Sequence, residues 1–201
     1  MSSKTTEKTR LGAIHLLPLG PALEADFPQV IRAVRVADAV GAMRYGDLIF
    51  SESIRFVDPG FLEMFTFPLK YGDKSVFSDK AALIISEDLA LKYFGDANPI
   101  GSQVSITFSS EQTETFFIKG VTEKVPANAS FGFTILCAYN KQFDLGRDLH
   151  DWSELTSSTF IQLQNSADIG TIAEQMDRYV NLQNAAHPNR PIAEFTHWRI
   201  R

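Results

Sequence analysis

The sequence contains a single cysteine and no long apolar run, and each of these absences excludes a class of protein. Cys137 is the only cysteine among 201 residues, so an intramolecular disulfide is excluded. No apolar stretch approaches the roughly 20 residues of a membrane-spanning helix. Residues 1–9 are polar and mixed in charge, unlike the apolar centre of a signal peptide. We therefore expect a chain that is either cytoplasmic or excised from a longer protein.

Motifs for catalysis and cofactor binding are also missing. None of the four histidines has a partner at metal-binding spacing, and the sequence contains no GxSxG, Walker or GxGxxG motif. The adjacent carboxylates of Glu87 and Asp88 are explained by the dipole of a predicted helix. Asp47, Glu52 and Arg55 are predicted to be ordinary surface charges on a strand. We expect no catalytic residues, no cofactor and no metal. The histidines are His15, His150, His187 and His197.

One cluster keeps a catalytic alternative open. His150 lies beside Asp151 and near Asp148, and an aspartate could orient this histidine as the general base of a hydrolase. That hypothesis requires a cleft around residues 148–152 that contains a serine or threonine. In the competing interpretation, the same residues form a polar loop above a packed Trp152.

The charge and composition are those of a soluble globular protein. The net charge is −5, with 44% hydrophobic and 21% charged residues. Nucleic acids and anionic membranes attract clustered lysine and arginine, so this balance argues against both as partners. The length suffices for one large domain or two small ones with a sizeable core.

Hydrophobic periodicity predicts a mixture of short helices and strands. The short antiparallel-type connections between them favour the α+β class. Cys137 belongs to an alternating apolar run and is predicted to face a core. Helices are predicted at 21–27, 59–65, 87–94 and 168–185, and strands at 30–36, 48–56, 81–85, 104–108, 116–121, 131–138, 159–163 and 194–200.

The run 57–65 has the pattern of a helix start. Asp58 can cap the free amides, and Pro59 suits the first helical position because it has no amide hydrogen to leave unpaired. Gly60 follows, and Phe61 begins an apolar face. We predict that the phenylalanines of this region pack in a core instead of forming an exposed docking patch.

Of two further runs, 89–101 and 120–128, the first has the pattern of a helix end followed by a turn, and the second continues from a predicted strand. Gly95 is predicted to end a helix with left-handed backbone, and residues 98–101 to form a type I turn. The residues selected from all three runs as structural motif residues are Asp58, Pro59, Gly60, Phe61, Tyr93, Phe94, Gly95, Pro99, Gly101 and Pro126.

Taken together, these runs resemble the MacB-like periplasmic core domain of FtsX-type ABC transporter permeases. The resemblance covers residues 19–137 in sequence order, and beyond residue 137 only the pattern of Trp152 and the following strand and helix agrees. The matching segments are 19–30, 56–69, 86–101, 120–121 and 125–128.

The resemblance implies an extracytoplasmic, non-enzymatic domain of an inner-membrane permease. Its implied partner is a separate cytoplasmic ABC ATPase, which acts through transmembrane helices that this sequence lacks. A second permease copy or a periplasmic protein are further implied partners, and nucleic acid is not.

The resemblance also implies two lobes and adjacent chain ends. Residues 1–57 and 139–201 would form a porter-like lobe, and residues 58–138 a smaller inserted lobe. The two ends of the chain should then lie side by side. A stand-alone module that binds a peptide or lipid between lobes is the third hypothesis, besides the permease domain and the hydrolase.

Overall fold

Short helices and strands alternate along the chain, and this mixture confirms the predicted α+β class. The computed structural model describes residues 10–12, 16–109, 111–124, 132–189, 191–192 and 198–200. The strands are β1 (Arg10–Gly12), β2 (Val30–Tyr45), β3 (Leu48–Val57), β4 (Leu69–Tyr71), β5 (Ala82–Ile85), β6 (Gln103–Phe108), β7 (Thr113–Thr122), β8 (Ile135–Ala138), β9 (Ser158–Leu163) and β10 (Trp198–Ile200). The helices are α1 (Leu19–Asp26), α2 (Phe61–Met64), α3 (Glu87–Phe94), α4 (Lys141–Asp144), α5 (Ile169–Ala173) and α6 (Asp177–Ala186). Among these described helices, none combines the length and the apolar character that crossing a membrane requires.

The chain divides into two compact units. Unit 1 combines the residues up to Arg35 with those from Asp148 onward, and unit 2 is the continuous segment Val36–Arg147. The chain therefore leaves unit 1, builds unit 2 and returns. The predicted lobe boundaries, at 57/58 and 138/139, stay a prediction.

Unit 1 packs helices against a small set of strands. The strand order is β10, β1, β9 and the start of β2, and helix α1 packs on β9. The core of this unit joins apolar residues from α1, β2, β9, α5 and α6. Its buried members are Leu16, Leu19, Leu23, Phe27, Val30, Ala33, Ile161, Leu163, Ile172 and Tyr179.

The single helix predicted over 168–185 is wrong, because the structure divides it into α5 and α6. At the break, the amides of Gln175 and Met176 bond to carbonyls three residues back instead of four. This tighter turn interrupts the α-helical ladder. Both Ile172 before the break and Tyr179 after it are buried in the core of unit 1.

A polar cluster ties α1 to α6. The Tyr179 hydroxyl donates to Oδ2 of Asp26 at 2.6 Å, and Nη2 of Arg178 lies 2.9 Å from the same oxygen. Burial, together with the hydrogen bond to Asp26, raises the pKa of Tyr179 to about 12. The hydroxyl therefore stays protonated and remains a donor at neutral pH.

Unit 2 contains a closed ring of six strands. The order is β2, β3, β8, β5, β7 and β6, and β6 closes the ring because it pairs with both β7 and β2. The β3–β8 and β5–β7 pairs are parallel, whereas the other pairs are antiparallel. Side chains that point to one side of the ring, such as Met43, Ile54 and Phe116, are buried.

Strand β2 runs nine residues further than the predicted end at residue 36, to Tyr45. This extension is rich in alanine and contains Gly41, residues with low strand propensity. Hydrogen bonding to β3 on one side and to β6 on the other stabilises this part of the strand despite its low propensity. A Cβ atom on Gly41 would lie 2.7 Å from Cγ2 of Ile106, so the close approach of β6 requires glycine here.

Several other predicted elements are confirmed with shifted ends. The hairpin of β6 and β7 forms around the predicted polar turn. Strand β8 begins at Ile135, so residues 132–134 are not strand as predicted, and residue 131 lies outside the described residues. Cys137 in β8 is fully buried, and burial raises the pKa of its thiol to about 12.

A charged network lies between α4 and the β6–β7 hairpin. Nζ of the buried Lys141 is 2.8 Å from Oε2 of Glu114 and 3.5 Å from Oδ2 of Asp144. Gln112 donates to the other oxygen of Glu114 at 2.8 Å. The hydrogen bonds from Lys141 and Gln112 lower the pKa of Glu114, because they stabilise its ionised form.

Replacement of this carboxylate should therefore destabilise the protein in a pH-dependent way. We expect Glu114→Gln to lower the free energy of unfolding by about 1 kcal/mol at neutral pH, a modest value because the carboxylate is partly in water. A lowered pKa contributes stability above the usual value of 4.5, and this stability is lost as the pH falls through the folded-state pKa. The difference between the two proteins should shrink in urea unfolding as the pH falls below 4.5.

The exposed Glu111 of the same hairpin provides a matched control. Glu111→Gln should change the free energy of unfolding by less than about 0.5 kcal/mol at either pH. A Glu114→Gln difference that stays constant from neutral to acidic pH would contradict the assigned ion pair.

Candidate functional site

The first and last described strands of the chain are hydrogen-bonded neighbours in unit 1. Strand β1 pairs antiparallel with β10, with Arg10 opposite Ile200 and Gly12 opposite Trp198. On its other side β1 pairs antiparallel with β9. Because the pairing is antiparallel, the start of β1 and the end of β10 lie at the same end of the ladder. The chain therefore enters and leaves unit 1 at one place.

The motif around Asp58 forms a turn before a helix, not the helix start that we predicted. Helix α2 begins at Phe61, and Gly60 occupies the capping position that we assigned to Asp58. The Phe61 amide donates to the Asp58 carbonyl at 2.9 Å, a bond that closes a four-residue turn through Pro59. This turn delays the helix by two residues.

The phenylalanines after this turn are core residues, as predicted. Phe61, Phe65 and Phe67 are all buried. The ring of Phe61 lies 4.9 Å from that of Phe65 and 5.6 Å from that of Phe67, measured between centroids. The aromatic run therefore stabilises unit 2 and does not form an exposed docking patch.

Helix α3 confirms the predicted capping pattern. The Ser86 side chain accepts a hydrogen bond from the Leu89 amide at 3.2 Å, and the acidic Glu87 and Asp88 occupy the first turn. Gly95 ends the helix with φ +59° and ψ −131°, a positive-φ conformation that favours glycine but differs in ψ from the left-handed helical conformation that we predicted. At this end of the helix, the Phe94 ring lies 4.4 Å from that of Tyr45.

Tyr93 connects α3 to the inner face of the β2–β3 hairpin. Its buried hydroxyl bonds to Oε1 of Glu52 at 3.0 Å and to the Met43 carbonyl at 3.3 Å. Nζ of Lys92 lies 2.6 Å from the same Glu52 oxygen and 4.2 Å from the centroid of the Phe50 ring. Burial and the neighbouring Glu52 carboxylate raise the pKa of Tyr93.

Glu52 therefore corrects an expectation. We predicted an ordinary surface charge, but the side chain is only 7% exposed and binds two residues of α3. Glu52 alternates in sequence with Phe50, Ile54 and Phe56, so it lies on the same inner face of the strand. This alternation is the sequence signal that could have indicated its burial. The partners of Glu52 are 40 and 41 residues away, so sequence spacing alone does not reveal them.

The predicted type I turn over residues 98–101 is displaced by one residue. The Ser102 amide donates to the Pro99 carbonyl at 3.0 Å, so the turn spans residues 99–102. Gly101 occupies its third position with φ +85°, as a type II turn requires. The Asn98 side chain instead accepts a hydrogen bond from the Ile100 amide at 3.1 Å.

Pro126, the last of the selected motif residues, lies outside the described residues, as do His15 and His197. The other nine motif residues are all found in unit 2, on or next to α2 and α3. They form turns and packing contacts.

The loop around His150 has the features of the polar-loop interpretation. The Asp148 side chain accepts a hydrogen bond from the His150 amide at 2.9 Å, and the Asp151 side chain accepts one from the Ser153 amide at 2.8 Å. Hydrogen bonds from Ser153 lower the pKa of Asp151. Trp152 stacks on Tyr179 with 5.8 Å between ring centroids, which anchors the loop to the core of unit 1.

A groove of about 600 Å³ lies in unit 2, where β2 and β3 meet the residues that precede β8. Within it, Nε of Arg55 bonds to Oδ1 of Asp38 at 2.7 Å, and Nη1 bonds to the Gly132 carbonyl at 2.8 Å. Arg55 thus holds two strands and the segment before β8 together. The groove is lined by Asp38, Ala39, Val40, Ser53, Ile54, Arg55, Gly132, Phe133 and Thr134.

Metal binding receives no support from the part of the chain that the structure describes. Within it, no group of three or more histidine, cysteine, aspartate or glutamate residues is placed to hold a metal ion.

Comparison with known families gives one match that covers most of the chain. The sequence model of the MacB-like periplasmic core domain matches residues 5–179. No curated protein matches this sequence.

Solved structures with the same fold include domains of three membrane proteins. The first is a domain of a protein assigned as a permease from Porphyromonas gingivalis, with a TM-score of 0.75 and 19% identity over 96% of this chain and 90% of that one. The periplasmic region of MacB from Actinobacillus actinomycetemcomitans has a TM-score of 0.64 and 12% identity, over 98% and 89% of the two chains. The extracellular domain of the ABC-type transporter YknZ from Gram-positive bacteria has a TM-score of 0.63 and 16% identity, over 96% and 100%.

Replacement of Gly101 should measure the backbone constraint in the turn after α3. No heavy atom outside the neighbouring residues lies within 4 Å of a Cβ placed on Gly101, so the substitution Gly101→Ala tests the positive φ alone. We expect a loss of about 1–2 kcal/mol in the free energy of unfolding, measured by urea denaturation.

Gly132 is the matched control, since its Cβ would also meet open space and it has no positive φ. Gly132→Ala should leave the stability unchanged or raise it slightly, because alanine restricts the unfolded chain. Equal effects of the two substitutions would contradict the assigned turn.

Proposed function

This chain belongs to the family of MacB-like periplasmic core domains, and we propose that it is the extracytoplasmic domain of an ABC transporter permease of the FtsX/MacB type. The observation that carries this proposal is the antiparallel pairing of β1 with β10. Two chain ends that leave a domain at the same place can continue into neighbouring transmembrane helices. The names of the three proteins with the same fold support the same assignment.

The proposed role is mechanical. A separate cytoplasmic ABC ATPase would act through transmembrane helices attached to β1 and β10. Movement of those helices would reach unit 1 first, because both strands belong to it, and would then change the position of unit 2. Such rigid-body motions convert small shifts at one site into larger ones at another. A second permease copy or a periplasmic protein would receive the motion.

We propose that the lobes of the family correspond to this division. The porter-like lobe would comprise residues 1–57 and 139–201, and the inserted lobe residues 58–138. The discontinuous composition of unit 1 supports an insertion of this kind.

The proposed role is also non-catalytic. The aspartates beside His150 accept hydrogen bonds from backbone amides of their own loop, which is the bonding of a structural loop. The groove that we describe is in unit 2, whereas His150 belongs to unit 1. These observations favour the permease domain over the hydrolase.

The mechanical role predicts a nucleotide-dependent distance between the units. We would label cysteines at Asn181 in unit 1 and Thr115 in unit 2, both exposed, in the full permease assembled with its ATPase in nanodiscs. The native Cys137 is buried and should not react. We expect the distance between spin labels, measured by double electron–electron resonance, to differ between the nucleotide-free and the ATP–vanadate states.

A pair of labels at Asp96 and Thr115, both within unit 2 and exposed, is the control and should keep one distance. If an active ATPase leaves both distances unchanged, the mechanical role is wrong. If a complex with an inactive ATPase shows the same change on addition of nucleotide, the motion is not driven by hydrolysis.

A further inference from the structure

We propose that the outer edge of β3, from Leu48 to Ser53, binds an extended and uncharged segment of a partner polypeptide as an additional strand. The proposal concerns unit 2 alone and goes beyond the transport role, so either can fail without the other.

The edge is left open because β3 is paired unequally on its two sides. Strand β2 pairs with all ten residues of β3, whereas β8 pairs only with Ile54–Val57. No strand in the described part of the chain pairs with the first six residues of β3 on the β8 side. The unpaired part of this edge is therefore as long as a typical short strand.

The direction of the backbone groups follows from one hydrogen bond. The Val57 carbonyl accepts from the Tyr139 amide at 2.9 Å, so odd-numbered residues of β3 direct their backbone groups toward the β8 side. By this alternation, Ile49 and Ser51 each direct an N–H and a C=O group to the open edge, and Ser53 directs its N–H group there. These groups specify an extended polypeptide, since only another strand can bond to all of them at once.

This edge lacks most of the devices that usually protect sheet edges, and the charge of the inward-pointing Glu52 is neutralised by Lys92. Proteins block such edges with lysine, proline, bulges or very short strands. Strand β4 of the same unit shows three of these devices: it has three residues, carries Lys70, and has an irregular register with β7. The segment Leu48–Ser53 has no lysine or proline, and its register with β2 is continuous.

The first three side chains of the edge are apolar and exposed. Leu48 is 39% exposed, Ile49 46% and Phe50 42%. Three consecutive exposed apolar residues project to both faces of the sheet. A bound strand with apolar side chains at matching positions would cover them on each face.

The charges next to the edge balance one another, since Arg44 opposite Ile49 and Asp47 in the adjoining turn have opposite signs. On the inner face Glu52 binds Lys92 at 2.6 Å, and on the outer face Arg55 binds Asp38 at 2.7 Å. No net charge therefore remains beside the edge to attract a charged ligand. This neutrality is the reason for inferring an uncharged segment.

The groove beside Ser53 favours one extended segment over a second copy of this chain. It extends the edge past Ser53 to Gly132–Thr134, so a bound strand could continue into it. If the β3 edge of a second copy were the bound strand, its chain would reverse at the turn of Gly46 and Asp47. It could therefore not continue into the groove. Helix α3 contacts the side chains of Phe50 and Glu52 on the inner face, whereas Ser51 and Ser53 are exposed on the outer face.

Amide hydrogen exchange in the 201-residue chain tests the open edge without any ligand. We expect the amides of Ile49, Ser51 and Ser53 to exchange much faster than those of Phe50 and Glu52, which bond to β2. Equal protection of both sets would mean that the edge is already paired, and would overturn the proposal.

The binding itself is tested with a short, capped peptide of alternating threonine and valine. We expect its addition to shift the NMR amide signals of Ile49, Ser51 and Ser53 and to slow their exchange. The same peptide with alternate backbone nitrogens methylated cannot pair on that edge and should have no effect. No shift at millimolar peptide, or an equal shift with the methylated peptide, would overturn the proposal.

Two variants distinguish pairing at the β3 edge from nonspecific binding of the peptide. Ile49→Lys adds a charge to the edge and should weaken peptide binding at least about tenfold. Thr115→Lys adds the same charge to an exposed position of β7 that pairs with Ser105 of β6 and does not belong to the β3 edge, and it should leave binding unchanged. Equal weakening by both variants would overturn the proposal. So would shifts of the same amides on raising the chain concentration without peptide, because a second copy would then occupy the edge.

Discussion

The antiparallel pairing of β1 with β10 is the constraint from which the rest of the account follows. It brings together two strands that are separated by almost the whole chain, with Arg10 opposite Ile200. Because of this pairing, the chain between the two strands starts and ends at the same place. Unit 2 is inserted in the same way within unit 1: the chain leaves unit 1 after Arg35 and re-enters it at Asp148. A domain built in this way can be inserted between two membrane helices without rearrangement of its core.

Within unit 2, the ring of six strands is closed because β6 pairs with both β7 and β2, an arrangement that would suit the mechanical role that we propose. Two charge networks, each with one buried charged member, hold helices to this ring: the buried Glu52 binds residues of α3, and the buried Lys141 of α4 binds Glu114. Each network joins segments distant in sequence, so each resists separation of the helix from the strands. The β3 edge is the contrast, because there the ring leaves backbone groups without a partner strand in the described part of the chain. Rigid packing and an open edge thus coexist in one unit.

Local signals predicted the local features of this fold. Ser86 caps α3, Gly95 ends it, and the β6–β7 hairpin forms around its polar turn, because each depends only on neighbouring residues. Pairing between distant segments was beyond such signals: the extension of β2, the burial of Glu52 and the break in the predicted helix 168–185 are set by tertiary contacts. The turn predicted over residues 98–101 was recognised but is displaced by one residue, and the turn at Asp58 was mistaken for a helix start, since proline and glycine fit more than one position near a turn. The order of these motifs indicated the family and, through it, adjacent chain ends, whereas the strand pairing that joins the ends and the open edge required the structure.

The most direct test of the central claim is a disulfide between the two terminal strands. Leu11 and Arg199 are partners in the β1–β10 register, so the double variant Leu11→Cys with Arg199→Cys should form an intrachain disulfide under mild oxidation, detected by mass spectrometry of the monomer. The pair Arg10→Cys with Trp198→Cys is displaced by two positions in the same ladder and should remain reduced, because its separation exceeds the limit of about 7 Å for a disulfide. Preferential oxidation of the Leu11–Arg199 pair would support adjacent chain ends. Absence of the disulfide, or equal oxidation of both pairs, would contradict the account.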